Sequence, residues 1–303
     1  MRIVRKVAAN LLLAAVLAAV VGSALWVFNR AAAPQERVLP PDVKNRPDYS
    51  SILSGINEDG ILEDLNALCS TPSRMCGSEG LERAAMHISS ALRSAGYQVL
   101  EQPFRVVVPR TRWVGIADAE GGELRGISIY PMDPNWFRTA TTPPGGLRGV
   151  VHKGSLGLAR EFKDVNLDGN FVMLPIGESW STVAGMGASA ILFYDDGRPT
   201  VAARWGSSVN ASLNVPRFMV TGPAESLAGR EVVISCRVDF VEARVSNIAA
   251  FLDAPGADEA VVLSAYYDAE SYVPDLAPGA EQAGGAAVLL AAVAGLVVAR
   301  GVV

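Results

Sequence analysis

The apolar residues Val261, Val262 and Leu263, followed by a polar loop and an Ala/Gly-rich run from Ala280, limit the fold more than any other feature of the sequence. A strand without polar side chains is stable in water only when both its faces are covered, as in a parallel sheet sandwiched between helices. Residues 283–299 carry no charge over 17 positions, the short edge of what a bilayer crossing needs. Their small side chains favour a closely packed core helix over a crossing. A second strand is expected over residues 247–252, closed by the turn at Pro255 and Gly256. Residues 245–303 therefore predict part of an α/β layer structure.

The N-terminal side has a different texture. Residues 7–28 are 22 positions without a charge, long enough to cross a bilayer as a helix. Arg2, Arg5 and Lys6 precede them and Arg30 follows, so the larger basic cluster stays inside and the remainder is placed outside. The same run is longer than the apolar core of a secretory signal peptide, which favours an uncleaved anchor. Residues 1–30 are read as that anchor and residues 31–49, rich in Pro and polar, as a tether. A membrane-attached, extracytoplasmic head is then expected from residue 50, or an exported one if the anchor is removed.

Within the head, residues 50–109 open with two amphipathic helices. One carries Ile61, Leu62, Leu65 and Leu68; the next carries Leu81, Ala84, Ala85, Ile88 and Leu92, is closed by Gly96 and leads into a strand. Residues 110–244 are short β-rich runs broken by Gly, Pro, Asn and Asp, which predicts a compact inserted β unit with one or two helices. In that unit Asp195, Asp196 and Gly197 read as a turn rather than a metal site.

The net charge of -5 and the lack of basic blocks in the head leave no electrostatic footprint for nucleic acid. The only histidines are His87 and His152, so a His-rich metal centre cannot be assembled from this chain. His87 reads as a satisfied helix residue. The cysteines are Cys69, Cys76 and Cys236; the first two bracket a short polar loop and predict a disulfide in an oxidising compartment.

Four stretches in this order resemble a known family: "LCSTPSRMCGSEGLERAAMHISSALRSAGYQVLEQPF", a β-rich insert whose "GESWSTVAGMGASAILFYDDG" is similar to a protease-associated domain, "VSNIAAFL" with "VVLSAYYDAE", and "PGAEQAGGAAVLL". Together they resemble the di-zinc aminopeptidases, metallopeptidase family twenty-eight, of the glutamate carboxypeptidase and transferrin receptor superfamily. The resemblance implies an α/β fold: a partial doubly wound aminopeptidase-like sheet with an inserted β-rich protease-associated domain, preceded by the transmembrane helix. Residues 50–109 and 245–303 would be the two parts of the peptidase-like domain, the second incomplete.

By the same resemblance, zinc is the cofactor and the site is degenerate. The family's His-x-Asp places Tyr266 where a ligand histidine is expected and Asp268 at the supporting aspartate. The later Gly-Ala-x-Asp-Asn pattern places Glu281 at the carboxylate that bridges the metals. Phenol is a poor zinc donor at neutral pH, with a reference pKa near 10, and the extra methylene of Glu281 displaces a bridging carboxylate. The family's general-base glutamate and later ligands would lie beyond Val303. The expectation is therefore a membrane-anchored, extracytoplasmic scaffold or binding protein with a peptide or protein partner, holding no catalytic zinc pair. The alternative is a piece of an active zinc aminopeptidase that hydrolyses peptide bonds.

Overall fold

A computed structural model describes residues 50–197, 213–253, 256 and 258–301. The expected anchor and tether lie outside the described residues. After a short helix α1 (Ser50–Ser54), α2 (Glu58–Leu68) and α3 (Glu79–Ser94) form where the apolar periodicity placed them. Their ends follow local chemistry. The side chains of Asn57 and Ser78 accept main-chain N–H bonds at the two N-termini, with Glu58, Asp59, Glu79 and Glu82 in the first turns. At the end of α3 the N–H of Tyr97 donates to the carbonyl of Leu92 and that of Gly96 to Arg93, at 3.0 and 2.9 Å, a Schellman closure.

The strands are β1 (Gln98–Asp118), β2 (Ser128–Pro131), β3 (Leu147–Lys153), β4 (Phe171–Pro175), β5 (Ala190–Tyr194), β6 (Arg217–Thr221) and β7 (Glu231–Phe251), with the short helix α4 (Ser181–Gly185) before β5. Their order is β1-β7-β3-β4-β5-β6-β2. The β3-β4-β5-β6 stretch is parallel, and the β1/β7, β7/β3 and β6/β2 pairs are antiparallel. β1 and β7 form one ribbon of 21 residues on each side, its register broken only between Thr111 and Trp113. The boundaries drawn in the sequence at residues 110 and 244 fall inside this ribbon.

The parallel strands covered on both faces do exist, but in the middle region. Phe171 and Met173 of β4 pack on one face with Val151, Leu192 and Phe218; Val172 and Leu174 pack on the other with Trp180, Val183, Ile191 and Phe193. The strand expected at Val261, Val262 and Leu263 is not formed. These residues pair with no strand among the described residues, and Val261 and Val262 expose 90% and 84% of their surface. An apolar run becomes a strand only when a neighbour supplies the ladder.

Helix α5 (Ala280–Gly301) is long and apolar enough by composition to cross a bilayer. One side of it is nevertheless core: Ala283, Ala286, Leu290 and Val293 pack on Leu68, Ala84, Ile88 and Leu92 of α2 and α3. Small residues on that side let the three helices approach closely.

Candidate functional site

The α2–α3 loop and the loop of residues 267–279 are laced together by a buried arginine. Arg74 is 0% exposed and has no carboxylate partner among the described residues; its guanidinium donates to the carbonyls of Tyr267 (2.8 Å), Leu68 (3.0 Å), Gly279 (2.8 Å) and Pro278, and reaches Cys69 Sγ at 3.7 Å. Its main chain continues the seam: Arg74 N–H donates to Ala277, Ala269 N–H donates to Arg74, and Ser73 Oγ donates to Pro274 at 2.6 Å. A guanidinium satisfied by carbonyls in this way is a structural tie, since every N–H it carries inward fixes a piece of main chain.

Two glycines make this approach possible. A Cβ on Gly80 would stand 2.0 Å from the carbonyl oxygen of Ser73. Gly279, at φ +62, carries the chain into α5 with Ala269 Cβ only 2.5 Å from where its own Cβ would lie.

The loop so held carries the residues singled out in the sequence. Asp268 is half-buried, and the Cys76 thiol donates to its Oδ2 at 3.5 Å. Burial first, then the charge of Asp268 and its hydrogen bond, push the Cys76 thiol up to about 11. Tyr267 is anchored by a hydrogen bond from its hydroxyl to the carbonyl of Ser246. Tyr266 projects into solvent, 80% exposed, and Glu281 sits exposed in the first turn of α5. The structure thus joins Asp268 to Cys76 and leaves Tyr266 and Glu281 on the surface.

Cys69 and Cys76, the pair the sequence offers for a disulfide, are free thiols in this structure; Arg74 reaches the first and the second donates to Asp268.

The donors among the described residues do not fit a zinc pair. Zinc takes imidazole, thiolate or carboxylate donors at about 2.0 to 2.3 Å. Among the described residues no three His, Cys, Asp or Glu side chains come together. The thiol nearest Asp268 is held protonated, and neither histidine is near: His87 Nε2 lies 2.7 Å from Asp64 Oδ1 between α2 and α3, and His152 belongs to β3.

A second tie joins the same loop to the β-rich region and has no signature in the sequence. The Arg217 guanidinium lies 4.9 Å from the Trp180 ring centre and donates to the carbonyl of Asp133, whose own N–H donates to Tyr272 at 2.7 Å. Burial pushes the Asp133 carboxyl up to about 6, against the charge of Arg217 and with that of Glu270. Thr111 Oγ1 adds a bond to Asp275 at 2.7 Å. Beside Tyr267 an open cleft of about 370 Å³ runs between α3 and the ribbon, bordered by Ser78, Leu81, Glu101 and Arg244.

No family model and no curated protein matches the chain. Solved structures do. A zinc aminopeptidase from Bacillus subtilis superposes with a TM-score of 0.54 at 18% identity, over 79% of this chain and 57% of its own. An aminopeptidase from Aneurinibacillus sp. strain AM-1 matches 83% of this chain and 61% of its own at 18% identity with a TM-score of 0.45. A peptidase M28 precursor from Shewanella amazonensis matches 73% and 57% at 16% identity with a TM-score of 0.46. The chain spans less than two thirds of the length of each. The Bacillus subtilis superposition shows that this chain shares its fold with that zinc aminopeptidase, over 57% of the enzyme's length.

Proposed function

We propose that this chain is an aminopeptidase-fold protein that has given up zinc catalysis and works as a binding scaffold, with the β-rich middle region standing where a protease-associated insert would stand. The observation behind this reading is the fate of the site positions. Where a ligand histidine would be needed the chain has Tyr266 in solvent, and the supporting carboxylate of Asp268 is engaged by a protonated thiol. A two-metal hydrolase needs ligands on both ions and a general base held in fixed geometry. Two scattered carboxylates do not provide that.

Zinc incubation and desalting, followed by metal analysis and an aminopeptidase assay, tests it. The expected result is well under one equivalent of zinc and no hydrolysis, with Tyr266→His alone restoring neither. Retention of near two equivalents with turnover lost in Glu281→Ala would overturn the reading.

A second reading is a piece of an active aminopeptidase. Its support is that the chain spans only 57% of the Bacillus subtilis enzyme. Reading the open frame past the codon for Val303 separates the two: a downstream pair of glutamates and a histidine favours the enzyme.

A further inference from the structure

Residues 267–279 are held from two sides by different chemistry. On the helical side the ties end on main-chain carbonyls: Ala269 N–H donates to Arg74 and Ala277 N–H to Pro72, at 3.0 and 2.8 Å. Between these anchors the segment closes on itself, with Val273 N–H donating to Ser271 Oγ at 3.0 Å and Leu276 N–H to the Val273 carbonyl at 2.8 Å. That compact turn drives Val273 into the cluster of Met132, Trp180, Phe193 and Met219 in the β-rich region. Each of these contacts joins two described residues, and together they make the segment a strap with one apolar plug.

Beside the plug the strap meets charge. The Asp133 N–H donates to the Tyr272 carbonyl and the Asp133 carbonyl accepts from Arg217 at 2.6 Å, which fixes the half-buried Asp133 carboxyl at the seam. Among the described residues, the charged groups facing that carboxyl are Arg217 of β6 and Glu270 of the strap, with Tyr272 beside Arg217. Burial and the Glu270 charge work against ionisation and Arg217 works for it; burial is the largest of the three, and the carboxyl rises from 3.8 to about 6. A lifted strap would return the carboxyl to water. The closed strap therefore binds the proton more tightly than the open one, and protonation favours closure.

We propose that residues 271–277 are an acid-tightened strap, which closes on the β-rich region when Asp133 is protonated, loosens when that carboxyl ionises against Glu270, and so sets how firmly the loop carrying Asp268 and its Cys76 partner is held. This goes beyond the scaffold reading and needs neither zinc nor a partner.

Hydrogen exchange of the full chain tests it, read by mass spectrometry on fragments covering residues 267–279 and corrected for the intrinsic pH dependence of exchange. Strap amides should exchange faster than those of β4 and β5. Their protection should fall about tenfold between pH 5 and pH 7.5, the range over which a carboxyl at about 6 when closed and 3.8 when open favours opening by that factor. In Asp133→Asn the pH dependence should disappear, with protection kept at its acid level. Thr111→Val, which removes the bond to Asp275, should lower strap protection about tenfold at both pH values and leave the slope intact, so that simple weakening is told apart from a protonation effect. A slope that survives in Asp133→Asn overturns the proposal, as do strap amides that exchange no faster than those of β4 and β5. The zinc assay is separate: a strap that never opens leaves the scaffold reading standing, and a metal-loaded chain leaves the strap standing.

Discussion

Arg74 is costly to replace because its partners cannot be satisfied otherwise. Replacement by a residue of similar reach but no charge, Arg74→Met, removes the donors to the carbonyls of Leu68, Tyr267, Pro278 and Gly279, at about 1 to 3 kcal/mol for each that water does not reach, Leu68 first among them. The expected loss in urea denaturation is on the order of 3 to 5 kcal/mol, the carbonyls that solvent reaches costing little, and the Cys76 thiol should become more reactive to a disulfide reagent as Asp268 loosens. Gly80→Ala sets two effects against each other. Helix propensity favours alanine by about 1 kcal/mol, but its Cβ would lie 2.0 Å from the Ser73 carbonyl oxygen. Steric repulsion wins, and the variant should be less stable than the wild type, the reverse of the usual sign. Asp133 gives a pH signature. Its folded pKa of about 6 lies above the ordinary 3.8, so the folded state holds the proton more tightly than the unfolded one. Its contribution is greatest at low pH and is lost as pH rises from about 4 to about 6. Asp133→Asn should therefore be the more stable protein at neutral pH, by about 3 kcal/mol, and the difference between the two should vanish near pH 4.

At the scale of elements, the ribbon of β1 and β7 joins regions whose cores are separate. The two clusters on either face of the central strands belong almost wholly to residues 110–244, with Val273 the buried contribution from outside. Expressed alone, that region should give a β-dominated circular dichroism spectrum and a single cooperative melt; a disordered spectrum would show that it needs the rest of the ribbon. Helices α2 and α3 were readable in advance because capping and apolar spacing are local properties. The Asp195 turn was readable for the same reason, the Gly197 N–H donating to Asp195 Oδ1 at 2.8 Å. Arg74 was not, since its bonds to Tyr267, Pro278 and Gly279 span 193 to 205 residues and end on main-chain carbonyls, which leave no mark on residue type. The run at Val261 failed differently: its composition states what it would do beside a neighbour, and supplies no neighbour. At the candidate site, sequence singled out Asp268 but could not see that its partner is Cys76.

For the whole molecule, we propose that the uncharged run of residues 7–28 anchors the chain in a membrane without being needed for the head to fold. Removal of residues 1–30 should release the head from membranes into the soluble fraction with an unchanged melting temperature. A head that still sediments with membranes would point to α5, whose Ala280–Val298 stretch has the length and hydropathy of a span. The pairing of Cys76 with Asp268 has a consequence for how long such a head stays intact. Thiol exchange and oxidation proceed through the thiolate, and with a pKa of about 11 only about one Cys76 in ten thousand is ionised at neutral pH. Burial first, and then the neighbouring carboxylate, keep this thiol protonated, which slows its mispairing and its attack by peroxide and gives an unbridged cysteine a long shelf life.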